Sequence, residues 1–412
     1  MTLPASTLSA KASSRIFRLS SSSSRNLAKL EDSLHEHRPL NSPSPELLGW
    51  LAALVKGKGE QWPPYGAARP ADLVRLACSE GVVAMASWRA ASPALQALNL
   101  PPELLQQLKR ASNDEVLASM LFEAETKRVL ACAAELDIPV LLLKGSALCH
   151  WAFTSPHLRE CSDVDVLVPL RESAEILAQA LAGQGLEYLK PSGDLVAYEL
   201  MCRRRLAEGW NLEVDIHWRL TNSALFAECF TFDELWASCI VLDRLAPNAR
   251  GLGPVEACIH SCLHRVLNLS IGGKDTLKWL YDLETLMQGF SMHDWETMAD
   301  LAGSKRVAGP VLSGLEAACQ VFGGCLPVSL AQKLRVFAVR ESLDVRRLSD
   351  WRYMQGLTLN SLSPLHRAKW LWQRIFPSLD YLRLRYDRPH AGYSRLLVIR
   401  AINLRKRVSS GQ

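Results

Sequence analysis

Three short stretches of this chain carry residue types that do chemistry. The apolar run Ile138-Pro139-Val140-Leu141-Leu142-Leu143 ends abruptly in Lys144-Gly145-Ser146. A second apolar run, Cys161-Ser162-Asp163-Val164-Asp165-Val166-Leu167-Val168, carries two aspartates one residue apart. Strand side chains alternate faces, so Asp163 and Asp165 point the same way. Two carboxylates on one face of an apolar strand require a cation, and a hard divalent ion suits carboxylate oxygens best. A Gly-Ser turn that opens a helix offers free backbone N–H groups, which bind phosphate. In the third stretch, Glu213-Val214-Asp215-Ile216-His217-Trp218, residues 213, 215 and 217 share a face by the same period of two. Beside the Asp165 strand, Asp215 completes a three-carboxylate cluster. Such a cluster holds two divalent ions about 3.5–4 Å apart, the spacing used in phosphoryl-type displacement. Glu213 is the rival for that third place, and Asp215 is preferred because it sits deeper in the apolar run. Lys144 and Arg159 are candidates to neutralise a triphosphate, Arg as a bidentate clamp and Lys as a point charge. The competing reading of Arg159 is a surface residue or a strut on Asp163. His217 reads as a satisfied core histidine.

These side chains need a small sheet to position them. The pattern predicts a strand over 138–143, a helix over 146–153, a loop with Pro156, a strand over 164–168 and a helix over 171–183. Weak strands follow, then the strand of Asp215. Upstream, Arg38-Pro39-Leu40-Asn41-Ser42-Pro43-Ser44-Pro45 marks the start of folded structure. From Glu46 to about Leu130 the spacing is helical, with breaks at 61–70 and at Pro101-Pro102, and Met120–Leu136 reads as one long helix. After Leu220 the chain is again helical, from Phe232 through about Met287 and on to its end. The expected class is α+β: a small mixed-sheet core over 137–222, set between helical regions at 45–136 and 223–412 and preceded by a tail over 1–44.

Bulk properties bound the reading. At 412 residues the chain can hold two or three cores, and 48% apolar with 22% charged residues is ordinary for a globular protein. A net charge of +5 is small for this length and does not itself imply a nucleic-acid partner. Eleven cysteines without a Cys-x-x-Cys pair fit a reduced, cytoplasmic protein. No apolar run approaches the roughly 20 residues of a membrane helix. The first 30 residues are Ser-rich, with Lys11, Arg15, Arg18, Arg25 and Lys29 and no acid. A disordered tail or a misplaced start is preferred there over a transit peptide.

Lys-Gly-Ser, then Arg159, then Ser-Asp-Val-Asp-Val-Leu-Val, then Val-Asp-Ile-His-Trp resembles the polymerase-β-type nucleotidyltransferase superfamily. More narrowly it resembles the uncharacterised bacterial nucleotidyltransferases with a Lys-Gly-x-x-Leu turn, an Asp-x-Asp strand and an acid-x-His-Trp strand. His260–His264, Leu277–Leu283 and the segment from Phe376-Pro377 to Arg400 are also similar to that group, so the likeness spans about 45–400. The sixteen residues between Ser146 and Asp163 are more than the superfamily usually has. The resemblance implies that Gly145 and Ser146 hold the β- and γ-phosphates. It implies that Asp163 and Asp165 bind the metals, and that Asp215 is the third acid and helps deprotonate the attacking hydroxyl. The expected activity is Mg- or Mn-dependent transfer of NMP from an NTP to an acceptor hydroxyl on a small molecule, a protein or an RNA.

Other readings compete. Asp163-x-Asp165 could serve a glycosyltransferase that holds Mn and a sugar nucleotide, though such an enzyme needs neither the Gly-Ser turn nor a third acid. A degenerate transferase acting as a binding module is the other alternative, against which stand the three intact acids. Cys258, His260, Cys262 and His264 suggest zinc, but on a helix the cysteines share one face and the histidines another. Aromatic-basic spacing from His366 to Arg407 could suit RNA or an acidic membrane surface; an amphipathic helix with a solvated basic face is the commoner cause.

Overall fold

The computed structural model describes residues 44–409, apart from 60–61, 63–68, 190–192, 194, 207–210, 349, 387 and 389. The tail expected over 1–44 lies outside the described residues except for Ser44. That residue caps helix α1 (Pro45–Lys56), its side chain accepting from the Leu47 N–H, while Pro45 opens the helix and Gly57 closes it in the left-handed region. Helices α2 (Pro70–Ser79), α3 (Val83–Ala90) and α4 (Pro102–Glu135) follow. The sequence suggested separate helices opening at Pro102 and at Met120. They are one element of 34 residues, because the polar stretch between them contains no residue that stops a helix.

The sheet has seven strands: β1 (Leu141–Leu142), β2 (Val164–Leu167), β3 (Glu187–Leu189), β4 (Glu199–Arg205), β5 (Asn211–His217), β6 (Ile240–Val241) and β7 (Arg250–Gly251). Their order is β3-β4-β5-β2-β1-β7-β6. The sheet is mixed: β2 runs parallel to β5 and β1 to β7, and the other neighbours are antiparallel. The chain is therefore α+β, as the motif order suggested. Two details differ. The strand expected over 138–143 has only two ladder residues; Pro139 has no N–H to give, and Leu143 adds one more bond, to the Asp165 carbonyl at 3.0 Å. Strands β6 and β7 lie in a stretch read as helix, since two-residue strands leave no periodicity to read.

The two faces of the sheet have different fates. Val164, Val166, Leu200, Cys202, Val214 and Ile216 are fully buried against α6 (Arg171–Gly183) and the second half of α4. Each such side chain contributes about 1.5–3 kcal/mol of burial, enough to fix the register of β2, β4 and β5. Glu125 of α4, buried, holds Arg204 of β4 at 3.0 and 3.1 Å and ties that helix to the sheet. Alternation then forces Asp165, Asp215, His217 and Glu199 onto the opposite face.

That second face looks toward helices. After α5 (Lys144–Trp151) and α7 (Phe232–Ala237) come α8 (Pro254–Ser270), α9 (Leu277–Gln288), α10 (Met292–Ser304), α11 (Ala308–Phe322) and α12 (Val328–Ala338). Their apolar faces form one core with α1, α2 and α3. Lys56 of α1 reaches Glu284 of α9 at 2.6 Å and the Phe322 carbonyl of α11 at 2.7 Å. The chain ends in α13 (Trp351–Ser361), α14 (Pro364–Ile375), α15 (Leu379–Arg385) and α16 (Tyr393–Ser409).

Candidate active site

Strands β2 and β5 pair in parallel with Asp165 directly beside Asp215 and Leu167 beside His217. On the other side of β5, Glu199 of β4 is opposite His217. Asp165 is almost wholly enclosed and is the centre of the cluster. Its Oδ1 accepts from Lys144 Nζ at 2.7 Å and lies 3.1 Å from His217 Nε2. His217 Nδ1 is 3.3 Å from Glu199 Oε2, out of line for a hydrogen bond. Asp215 Oδ1 is buried and has no hydrogen-bond partner among the described residues. Among the described residues, Asp165, Asp215 and His217 can each bring a ligand atom within 4.8 Å of the others. Two carboxylates and an imidazole, one oxygen left unpaired, fit a divalent cation.

The charges follow from this crowding. Burial opposes ionisation of Asp165, but the charge of Lys144 and the bonds from His217 and Lys144 outweigh it and hold the carboxyl below the usual range. Burial likewise opposes the Lys144 ammonium, yet Asp165 and then Asp163 keep it protonated far into alkali. Burial, then Glu199 and Asp165, push Asp215 up to about 8. One acid is thus fixed as carboxylate while its neighbour keeps a proton near neutrality. His217 is raised: burial lowers it, and its bond to Asp165 and the charge of Glu199 prevail.

Each residue singled out in the sequence has a defined place. Lys144 opens α5 with φ +48°, a left-handed conformation that side chains rarely adopt, and that turn delivers its Nζ to Asp165. The first N–H groups of α5, which starts at Lys144, have no intrahelical acceptor. The Ser146 hydroxyl is engaged: it accepts from the Asp165 N–H at 3.0 Å and donates to the Asp163 carbonyl at 3.3 Å, clipping the turn to β2. Asp163 lies just before β2, near enough to Asp165 and Lys144 for their charges to act on it, but outside the group of close ligand atoms. Ser162 donates to it at 3.0 Å, and burial and Asp165 raise its carboxyl. It lines a small cavity with Ser146, Cys149 and Cys161.

Arg159 does not face the cluster. Its guanidinium is buried and clamps Asp282 of α9 through Nε at 2.9 Å and Nη2 at 2.7 Å, while Nη1 donates to the Glu160 carbonyl. The expected phosphate clamp is therefore a strut, and its partner is Asp282 rather than Asp163. Gly145 packs against this strut: a Cβ there would lie 2.6 Å from Arg159 Nη1. The rival for the third acid, Glu213, is held by Arg203 at 2.6 Å and is not in the group of close ligand atoms.

Sequence reasoning missed two members. His217, read as a satisfied core histidine, is buried but only half satisfied: Nε2 meets Asp165, while Nδ1 has no hydrogen-bond partner among the described residues, and the ring lies within the group of close ligand atoms. Glu199 lies on a strand read only as weak; its alternation with Leu200, Met201 and Cys202 was the available signal. Of the Cys/His segment on α8, Cys262 Sγ is 3.7 Å from the Val311 carbonyl, while His260 lines a small cavity with Lys144. Burial, then Lys144, push His260 down to about 3, so it is neutral.

The decisive comparison is with protein families: the profile of the uncharacterised nucleotidyltransferases matches residues 67–323, more than half of the chain. The chain belongs to this family. No curated protein matches it. The match covers the whole sheet, the carboxylate cluster and helices α2 to α11, and it stops short of α12 to α16. This nucleotidyltransferase thus has its acidic cluster inside the family's segment, and its implied substrate is an NTP. Among the described residues, no helix is long and apolar enough to cross a membrane.

Proposed function

We propose that this nucleotidyltransferase moves a nucleoside monophosphate from an NTP to an acceptor hydroxyl, releasing pyrophosphate, with Mg2+ or Mn2+ as cofactor. The observation that carries the reading is the pairing of Asp165 with Asp215 across β2 and β5, with Asp215 Oδ1 buried and unpaired among the described residues. Asp165 and Asp215 are the metal ligands in this reading, with His217 within reach and Asp163 one residue before β2. When bound, the divalent ions offset the negative charge that grows on phosphate oxygens in the transition state.

The protein's own groups do the rest. Lys144 holds Asp165 ionised and stands at the mouth of α5 to neutralise the triphosphate. In this reading the N–H groups of Gly145 and Ser146, at the start of α5, hold the β- and γ-phosphates. The Ser146 side chain keeps the turn on β2 rather than touching phosphate. Asp215 gives up its proton as a cation arrives and is then the group placed to accept one from the attacking hydroxyl. Arg159 supports the turn from behind.

The test is transfer of label from each α-32P NTP, with Mg2+, into a pool of small-molecule, protein and RNA acceptors. Label should appear on one acceptor class, and Asp165→Asn should abolish it. Transfer of the sugar from a UDP-sugar, or full biological activity in an Asp165→Asn/Asp215→Asn double variant, would sink the reading.

A further inference from the structure

The C-terminal helices carry a surface that nucleotidyl transfer does not use. Helix α14 is anchored on its inner side: Trp370 is buried, Arg374 stacks on it at 4.7 Å, and Gln373 Oε1 accepts from the Leu195 N–H at 3.1 Å. On its outer side Leu365, Ala368, Trp372, Ile375 and Phe376 follow at spacings of i, i+3, i+7, i+10 and i+11, a single stripe. Leu365 is 77% exposed and Trp372 64%. The Trp372 and Phe376 rings rest on each other at 4.5 Å. Helix α16 is tied to α14 by Arg400, which donates to the Arg374 carbonyl at 2.7 Å, and it exposes Val398 and Ile402 one turn apart.

The sequence of this C-terminal stretch is one-sided in charge. Residues 364–412 contain eleven Lys and Arg against two Asp, a net +9 on a chain whose total is only +5. The rest of the protein is therefore net negative. Lys369, Arg388 and Arg395 are exposed, and Asp380 is the one acid among the described residues of 364–403.

We propose that α14 and α16 seat this protein on an anionic lipid surface. A bilayer interface accepts both halves of the pattern, acyl chains taking Leu365, Trp372 and Ile375 and headgroups taking the cations. RNA would stack on Trp372 but gives the exposed aliphatic side chains nothing. A second copy would bring a second strongly positive surface against the first. Helix α14 has 12 residues, about 18 Å, so it lies in the interface and does not cross.

Co-sedimentation of the full chain with phosphatidylcholine vesicles, with and without phosphatidylglycerol, tests this. Partition should favour the anionic vesicles about tenfold or more and weaken as salt rises. The triple variant Leu365→Gln/Trp372→Gln/Ile375→Gln changes exposed positions and should cut that partition about tenfold. Lys369→Gln/Arg395→Gln is an independent variant, expected to cost about tenfold by charge alone. No preference for anionic vesicles, or partition unchanged in both variants, overturns the proposal. So does tighter binding to single-stranded RNA than to the vesicles, or a dimer in light scattering that the triple variant dissolves. Nucleotide transfer is read separately, so failure here leaves the assignment of the sheet site untouched.

Discussion

Asp165 and Asp215 are the same residue type at the same register, yet their neighbours set them apart. Lys144 and His217 both reach Asp165, and among the described residues neither forms a hydrogen bond with Asp215 Oδ1. The sign of the pH effect follows. Asp215 has a folded pKa of about 8, above the 3.8 of an ordinary aspartate. Between those values the folded protein keeps a proton the unfolded chain has lost, so stability falls as pH rises from about 4 to about 8 and then levels. In chelator, Asp215→Asn should raise the melting temperature at pH about 9, by about 2 kcal/mol of stability, and leave it unchanged near pH 4. Adding Mg2+ should stabilise the wild type at alkaline pH and not the variant. A variant destabilised at pH 9 in chelator would show that Asp215 is satisfied by some protein partner. This division of labour between the two acids was only half legible in the sequence. The period of two placed Asp165 and Asp215 on one face because burial of Val164, Val166, Val214 and Ile216 allows no other register. It could not show that His217 and Glu199 would share their surface, since that depends on which strand lies beside β5.

At the scale of elements, the turn between β1 and α5 is held from two sides. Ser146 clips it to β2, and Arg159, filling the space where Gly145 lacks a side chain, clamps it to α9. Sequence gave no means of pairing Arg159 with Asp282, 123 residues away, whereas Asp163 was close by and looked like the natural partner. Removing one partner of a buried pair strands the other's charge. Asp282→Asn should therefore cost about 3 kcal/mol, read as a lower urea midpoint, while the KM for NTP changes little. A large rise in KM with unchanged stability would instead return Arg159 to the phosphates. The helices themselves were well marked: Ser44-Pro45 opens α1, and Thr231 with Glu234 caps α7 in a reciprocal pair. What periodicity could not reveal was the join of two helices into α4 or the edge strands β6 and β7, whose place is set by pairing with β1.

Across the whole molecule, helices from before and after the sheet share one core, and buried polar contacts fix their alignment. Glu80, at the end of α2, accepts from the Leu277 N–H that opens α9 at 2.9 Å and from Lys274 at 2.8 Å. It is buried, so Glu80→Ala leaves an uncapped helix and a stranded lysine; the expected loss is about 2 kcal/mol, measured by thermal melting. A neutral substitution would mean that water replaces the carboxylate. The packing of Gly145 onto Arg159, and of Arg159 onto Asp282, has a dynamic consequence. A chain segment can breathe independently only where few enclosed contacts join it to its neighbours. The strand-to-helix turn and the middle of α9 are fastened together, so they should open as one cooperative unit. Hydrogen exchange should release the amides of 145–149 and 281–285 at a common rate, with any gate for an incoming acceptor hinged elsewhere.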